Sequence, residues 1–331
     1  MYESLLIGTP VQINRIFTPD RRETISKLSD LYPEVIKTED LAKHSRELSE
    51  VKYVFSTWGP PLFTDEQLAQ LPNLEAVFYA AGSVKDFCDQ LFKHQIKIFS
   101  APKANAVPVA QFALGQILLC LKNYFQDNEL IHKTKSHKDA YLYKAPGIFN
   151  ESVGIIGAGE IGRVLINLLK NFDVNILVVD PCLDKQSAQE LGVEICTLEE
   201  VFKRAYVVSN HLPNIPATQK MITAKHFSSM RNGATFINTG RGAQVCEDGL
   251  VEALSKRTDL YALLDVTCEE PPNENSPLYQ YDNIKLTGHI AGSLGNEVVR
   301  MADFVIADFK RYLKNEKTLY QVDPKTIGEK A

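Results

Sequence analysis

Short apolar runs, separated by longer stretches with helical spacing, set the rhythm of this chain. Runs at residues 5–7, 35–36, 51–56, 74–79 and 96–99 are rich in Val, Ile, Leu, Phe and Tyr. They are short and nearly continuous, which suits strands buried on both faces. Helical segments fit between them, and one opens on a capping box, Thr64 followed by Gln67. Such βα alternation predicts a parallel sheet covered by helices. The rhythm changes at 107–121, where one predicted helix is apolar on nearly every side and so needs cover all round. A weakly patterned stretch rich in Lys and His follows at 132–144 and reads as a solvated loop.

A second βα series starts at Ser152. Strands are expected at 153–156, 175–179, 194–196, 206–209, 235–238, 262–266 and 285–287, then one long amphipathic helix at 296–314. The second series closes before that helix, so the helix is expected to cross back and complete the first sheet. The pattern predicts an α/β protein with two doubly wound parallel-sheet domains. Residues 1–102 with 293–331 form one and residues 103–292 the other, and a cleft between such domains is a natural ligand site.

Composition narrows the classes. The 331 residues suffice for two domains, and 44% apolar content suits ordinary cores. A net charge of −5 is too mild to point to nucleic acid. No basic segment followed by an apolar stretch opens the chain, so no signal peptide is read. The longest apolar run, at 112–121, is interrupted by Gly115 and Gln116 and is too short to span a bilayer. The six cysteines are scattered without a Cys-x-x-Cys pair, which disfavours zinc and disulfides and fits a reducing cytoplasm.

Residues 153–162 read Val-Gly-Ile-Ile-Gly-Ala-Gly-Glu-Ile-Gly, an apolar strand running into G-x-G-x-x-G. Gly157 permits the tight turn, Gly159 lets a pyrophosphate approach the backbone, and Gly162 lets helix and strand pack closely. The helix that begins at Glu160 and Ile161 turns its free N–H groups and positive dipole end toward the phosphates. Asp180 ends the next strand, 23 residues after Gly157, where it can accept hydrogen bonds from the adenosine ribose hydroxyls. Its charge opposes a 2′-phosphate, and the next basic residue is Lys185, so NAD is expected rather than NADP. The alternative is an Asp that caps the following helix.

Three later strand ends carry Arg241 between Gly240 and Gly242, Asp265 with Glu269 and Glu270, and His289. In a parallel sheet all C-terminal strand ends share the edge where the dinucleotide sits. Reduction of a keto acid needs this set. A guanidinium holds the carboxylate and polarises the carbonyl, an imidazolium donates the proton, and a carboxylate orients the imidazole and favours its charged form. Taken singly, Arg241 reads as a surface ion-pair partner, Glu270 as part of a polar turn, and His289 as a satisfied structural histidine.

With these segments the chain resembles the D-isomer-specific 2-hydroxyacid dehydrogenases. The likeness covers nearly the whole sequence, including residues 104–110 (Ala-Asn-Ala-Val-Pro-Val-Ala), the glycine fingerprint, His211-Leu212-Pro213 and the three strand ends. It implies that Arg241 binds substrate, that His289 is the acid/base and that Glu270 is its partner. It implies nicotinamide contacts from Asp265 and cofactor contacts at Leu212, Pro213 and Thr239; Thr218, Gly240 and Gly292 complete the expected set. It also implies a Rossmann-type cofactor domain inserted into a flavodoxin-like catalytic domain. The chain departs from the family pattern at Gly288, where a Pro is common before the catalytic His, at Gln111, where Glu is usual, and at Gly240, where Ala or Ser is frequent. Glu270 disfavours the formate-dehydrogenase relatives, which usually carry Gln in that role.

Substrate identity is expected at the loop after residue 79. There the resemblance implies backbone N–H groups offered to the substrate carboxylate, and Gly82 and Ser83 suit this; the alternative makes Ser83 a helix N-cap. Trp58, the only tryptophan, either walls the cleft or packs locally. Lys85 reads as a solvated lysine or as a contact to a substrate phosphate or carboxylate. His44, His94, His132, His137 and His226 fall in polar helices or loops and receive no chemistry; nothing marks Cys268 as a nucleophile. The expected partners are a small 2-keto or 2-hydroxy acid such as glyoxylate, hydroxypyruvate or a phosphoglycerate-like analogue, and a second copy of the chain packed on helix 107–121. No metal, nucleic acid or membrane is expected. The competing reading is an NAD-responsive scaffold like the C-terminal-binding-protein corepressors, which resemble the same family; no long disordered tail or peptide-docking extension supports it.

Overall fold

The computed structural model describes residues 2–138, 145–325 and 327. It divides into two compact units, Met1–Asn105 with Ser293–Ala331, and Ala106–Gly292.

The first unit holds a five-stranded sheet of β1 (Ser4–Ile7), β2 (Leu31–Ile36), β3 (Tyr53–Ser56), β4 (Ala76–Tyr79) and β5 (Lys97–Ser100), ordered β2-β1-β3-β4-β5. All neighbours are parallel. β1, β3 and β4 are buried along their whole length because helices cover both faces, which explains their unbroken apolar runs. Phe55, Phe78 and Phe99 lie in register on adjacent strands. Their rings stack with centroids 5.2 and 4.6 Å apart. Phe309 of the helix Val299–Leu313 meets Phe55 and Phe78 edge-on at 5.1 and 5.0 Å, so the last helix packs on the first sheet as expected. Its fully buried Asp308 accepts hydrogen bonds from the backbone N–H groups of Leu319 and Tyr320. That contact turns the tail onto the free edge of β5, where Val322 donates to Ile98 and Ser100 donates to Tyr320.

The second unit holds seven strands: β6 (Glu151–Ile156), β7 (Val174–Val179), β8 (Glu194–Ile195), β9 (Val207–Asn210), β10 (Thr235–Asn238), β11 (Tyr261–Leu264) and β12 (Ile284–Leu286). Their order is β12-β11-β10-β9-β6-β7-β8, again all parallel. The chain runs outward from β6 through β7 to β8, then returns to the other side of β6 and runs out through β9 to β12. The strand order therefore reverses between β6 and β9, the place where ligands bind in open α/β sheets.

Three expectations need correcting. The helix expected over 107–121 begins earlier and spans Pro102–Cys120. Pro102 suits a first helical position, while Pro108 lies inside and forfeits one backbone hydrogen bond without ending the helix. The loop expected over 132–144 is helical up to Thr134, in the helix Tyr124–Thr134, and 139–144 lie outside the described residues. His226, expected in a polar helix or loop, lies on the helix Ala224–Ser228 but is not solvated. It is buried beside the Phe202 ring at 5.3 Å, and its Nδ1 accepts from Thr223 N–H. No single helix among the described residues is long and apolar enough to cross a membrane.

Candidate active site

β6 delivers the glycine turn. Gly157 has φ +94°, and a Cβ on it would lie 2.8 Å from the His211 carbonyl oxygen. A Cβ on Gly162 would lie 2.0 Å from the Gly157 oxygen, so neither position accepts a side chain. Gly159 differs: a Cβ there would meet nothing within 4 Å, which leaves the approach to its backbone open. Gly159 is also the N-cap of the helix Glu160–Leu169 and provides no side-chain cap. The N–H groups of the first turn, around Glu160 and Ile161, therefore fit a pyrophosphate. Asp180, just after β7, accepts from Ala158 N–H at 2.6 Å and from Cys182 N–H at 2.7 Å. Its carboxylate thus ties the glycine turn to the neighbouring strand end. The helix that follows, Lys185–Leu191, is capped by Asp184, not Asp180.

β9 and β10 end side by side. After β9 come His211, Leu212 and Pro213, and the Thr218 hydroxyl donates to the Pro213 carbonyl at 2.7 Å. His211 is buried, with Ser209 Oγ 2.9 Å from Nε2 and Thr239 Oγ1 3.2 Å from Nδ1. Burial pushes its pKa down to about 4, so the ring is neutral at pH 7. In the sequence His211 stands out only within the His211-Leu212-Pro213 motif. A signal was present, because Ser209 and His211 are two positions apart on an extended segment and share a face. After β10, Thr239 and Gly240 lead into Arg241, which is exposed and donates from Nη1 to the Gly240 carbonyl at 2.7 Å. Among the described residues Arg241 has no carboxylate partner, unlike an ordinary surface arginine.

β11 and β12 bring the acid and the histidine together. His289 Nδ1 lies 2.8 Å from Glu270 Oε2, which leaves Nε2 as the nitrogen that can face a ligand. Asp265, only 3% exposed, anchors the loop that carries His289. Its Oδ1 accepts from Thr287 Oγ1 at 2.6 Å and Ile290 N–H at 2.8 Å, and its Oδ2 accepts from Ala291 N–H at 2.9 Å. Its backbone carbonyl accepts from His289 N–H at 3.0 Å. His289 itself sits at φ +55°, a left-handed conformation that disfavours side chains. A pocket of about 480 Å³ opens here, lined by Asp265, Thr267, Glu270, Tyr279, Thr287 and His289 among others. Gly292 closes the second unit. Burial pushes the Cys268 thiol up to about 11, which leaves it protonated and a poor nucleophile.

Arg241, Glu270, His289 and every expected cofactor residue therefore follow the C-terminal strand ends of one parallel sheet. Gly82 and Ser83 belong to the first unit, in the loop after β4. A Cβ on Gly82 would meet nothing within 4 Å. Ser83 caps no helix, since the next one is Cys88–Lys93 with Phe87 at its N-cap. Trp58 packs against the first unit's core, and Lys85 is half-buried.

The family model described as D-isomer specific 2-hydroxyacid dehydrogenase, NAD binding domain, matches residues 114–291. The chain belongs to this family. D-3-phosphoglycerate dehydrogenase of Haemophilus influenzae is 30% identical over 265 residues, covering 78% of this chain and 64% of that protein. The chain spans between about a third and two thirds of the length of the curated relatives it matches. A phosphoglycerate oxidoreductase from Rhizobium etli has the same two-sheet fold, with TM-score 0.81 at 24% identity over 99% of this chain and all of the other. A glyoxylate reductase from Paecilomyes thermophila matches with TM-score 0.74 at 23% identity, covering 98% of this chain and 99% of the other. The sheet edge of this family member carries a glycine turn, an arginine with no carboxylate partner among the described residues, and a carboxylate–imidazole pair.

Proposed function

We propose that this dehydrogenase-family chain reduces a small 2-keto acid with NADH, or oxidises the matching 2-hydroxy acid with NAD. The observation that carries the reading is the His289–Glu270 pair on the same sheet edge as an arginine that has no carboxylate partner among the described residues. When bound, the nicotinamide supplies or accepts the hydride at the substrate's C2. Arg241 grips the carboxylate through a bidentate pair and polarises the C2 oxygen. Glu270 holds Nδ1, so His289 presents Nε2–H and gives its proton to that oxygen as the carbonyl becomes a hydroxyl; in oxidation the same nitrogen takes the proton back. Asp265 has one carboxylate lone pair beyond its three hydrogen bonds, which suits a carboxamide donor. Leu212, Pro213, Thr218, Thr239, Gly240 and Gly292 complete the cofactor contacts, and Gly82 and Ser83 contribute N–H groups toward the substrate carboxylate.

The first unit is the substrate domain and the second the cofactor domain in this reading. Glyoxylate, hydroxypyruvate and phosphoglycerate-like acids are the candidate substrates, and the working unit is a homodimer. Asp180 without an adjacent arginine favours NADH over NADPH by at least about tenfold in kcat/KM, roughly 1.4 kcal/mol; equal values for the two cofactors would discard this preference. The deciding experiment follows NADH absorbance with a panel of glyoxylate, pyruvate, hydroxypyruvate and 3-phosphohydroxypyruvate. Sustained turnover with one of them is expected. NADH binding without turnover on any 2-keto acid overturns the reading in favour of a nucleotide-responsive scaffold.

A further inference from the structure

Three buried amide side chains lie beneath the Arg241 turn. Asn210 ends β9, Asn238 ends β10, and Gln244 ends the short turn Gly242–Gln244; their exposures are 0, 1 and 0%. Asn210 Nδ2 donates to Asn238 Oδ1 at 2.9 Å and to Gln244 Oε1 at 2.6 Å. Gln244 Oε1 also accepts from the Arg241 backbone N–H at 3.0 Å, while Gln244 Nε2 donates to the Leu212 carbonyl at 2.6 Å. Asn238 Oδ1 accepts from Gly240 N–H and Asn238 Nδ2 donates to the Arg241 carbonyl, both at 3.1 Å. Asn210 Oδ1 accepts from Leu212 N–H at 3.3 Å. Each amide uses both its oxygen and its nitrogen, and both backbone polar groups of Arg241 end on one of them. A Cβ on Gly240 would lie 2.8 Å from Gln244 Oε1 and 3.0 Å from Asn210 Nδ2. The amides fill the space that a side chain at 240 needs.

We infer that Asn210, Asn238 and Gln244 are positioning residues. They set the Arg241 backbone for carboxylate binding and join that turn to the Leu212–Pro213 turn, and they require glycine at position 240. The inference rests on the reading of Arg241 as the substrate's carboxylate grip. The physical reason is that a long, exposed side chain can deliver a bidentate contact reproducibly only if its Cα is fixed. Buried amides supply such fixity when every donor and acceptor is satisfied, because any displacement leaves a polar group unpaired away from water. Misplacing a substrate-orienting group by about 1 Å can cost on the order of 100-fold in rate.

The test is a double-mutant cycle on the NADH-loaded enzyme with the best 2-keto acid of the panel. Gly240→Ala pushes against the amides and Gln244→Ala removes one. Each is expected to raise KM for the keto acid by about tenfold or more, and the Kd of NADH by a smaller factor because Gly240 and the Leu212 turn are also read as cofactor contacts. Gln244→Ala also clears the nearer of the two amide atoms that the new methyl group meets and frees Asn210 to give way. The double variant should therefore be no worse than the worse single, instead of showing the product of two losses. Multiplicative losses, or singles with unchanged KM, overturn the inference. So does a KM increase matched by equal losses in NADH affinity and Tm, because that pattern marks a merely structural role. Gly240→Ala deletes no hydrogen bond, so it tests the same floor if Gln244→Ala does not fold. Arg241→Lys runs alongside. If it loses activity while Gly240→Ala and Gln244→Ala keep a normal KM, only the amide floor is wrong. If Arg241→Lys stays fully active, the functional reading itself fails, and the role of the amides with it.

Discussion

His211 is enclosed at the end of β9 with a hydroxyl beside each ring nitrogen, and burial holds its pKa down at about 4. An unfolded histidine titrates near ~6.5, so between about pH 6.5 and 4 the unfolded chain binds a proton that the folded chain refuses. Stability from this residue is therefore complete above about pH 6.5 and falls as pH drops toward about 4, by about 2 kcal/mol at pH 5. His211→Gln keeps hydrogen-bonding atoms without the titration. Urea unfolding at pH 7 and pH 5 should show a smaller acid loss in the variant; an identical loss in both proteins would mean that His211 does not carry it. Burial also lowers the His226 pKa, so part of the acid loss remains. At Arg241 the prediction concerns geometry more than charge. Arg241→Lys keeps the cation but cannot form a bidentate grip, so kcat/KM on the best keto acid should fall by at least about tenfold. Near-normal kcat/KM would remove Arg241 from the substrate site. The residues legible in the sequence were those that act as local motifs or strand ends: Gly157, Asp180, Arg241, Glu270, His289. The sealing of His211 by Thr239 and the meeting of the three amides around Gly240 were not legible, because the hydrogen bonds that bring β9 and β10 residues together join positions 28 to 34 apart in the chain.

The loop after β12 shows how an element aims a side chain. His289 is held at φ +55°, a conformation that costs an ordinary residue about 1 kcal/mol or more. Asp265 opposes that cost by accepting from Thr287, Ile290 and Ala291 on both sides of the histidine. Asp265→Ala leaves the buried Ala291 N–H and two part-buried donors without this partner and should lower the unfolding free energy by about 1–3 kcal/mol. Asp265→Asn retains one acceptor oxygen, so it should stay closer to wild type in stability yet still lose kcat/KM, as the loop shifts under His289. Denaturation curves beside steady-state rates decide this; two variants with wild-type rates would show that the loop needs no clamp. The central strands announce themselves as apolar runs because helices bury both faces of these sheets, whereas the edge strand β8 is only the exposed pair Glu194–Ile195. Strand ends were less legible. β2 starts at Leu31, not 35, because Pro33 and Glu34 interrupt its apolar run, which an edge strand tolerates. The helix from Pro102 is longer than its apolar stretch from 107, because Lys103 and Asn105 in its first turn break the apolar pattern.

For the whole molecule the open question is what covers the outer side of the helix Pro102–Cys120. Ala110, Ala113, Ile117 and Cys120 face the core, and Gln111, Gly115 and Leu119 face outward. The sequence showed a helix with little polar surface but not which side the core would take, since that depends on sheet packing. Leu119 is 41% exposed, and Tyr124 and Phe149 are 50% and 74% exposed. A hydrogen bond from Gly147 N–H to the Leu121 carbonyl brings the segment before Phe149 to the end of the same helix. Exposed aromatic and aliphatic residues grouped at one place are costly in water and are the usual core of a self-complementary interface. A stable dimer buries on the order of 1,600 Å² in total, more than these three residues supply, so the rest of the helix face must join them. Light scattering at micromolar concentration is therefore expected to give twice the chain mass. Leu119→Glu combined with Phe149→Glu places two charges in that surface and should shift the protein toward monomer, with helix content and NADH binding retained. A wild-type monomer at the same concentration rules out the homodimer. A double variant that stays dimeric locates the interface elsewhere and leaves this helix face without a partner.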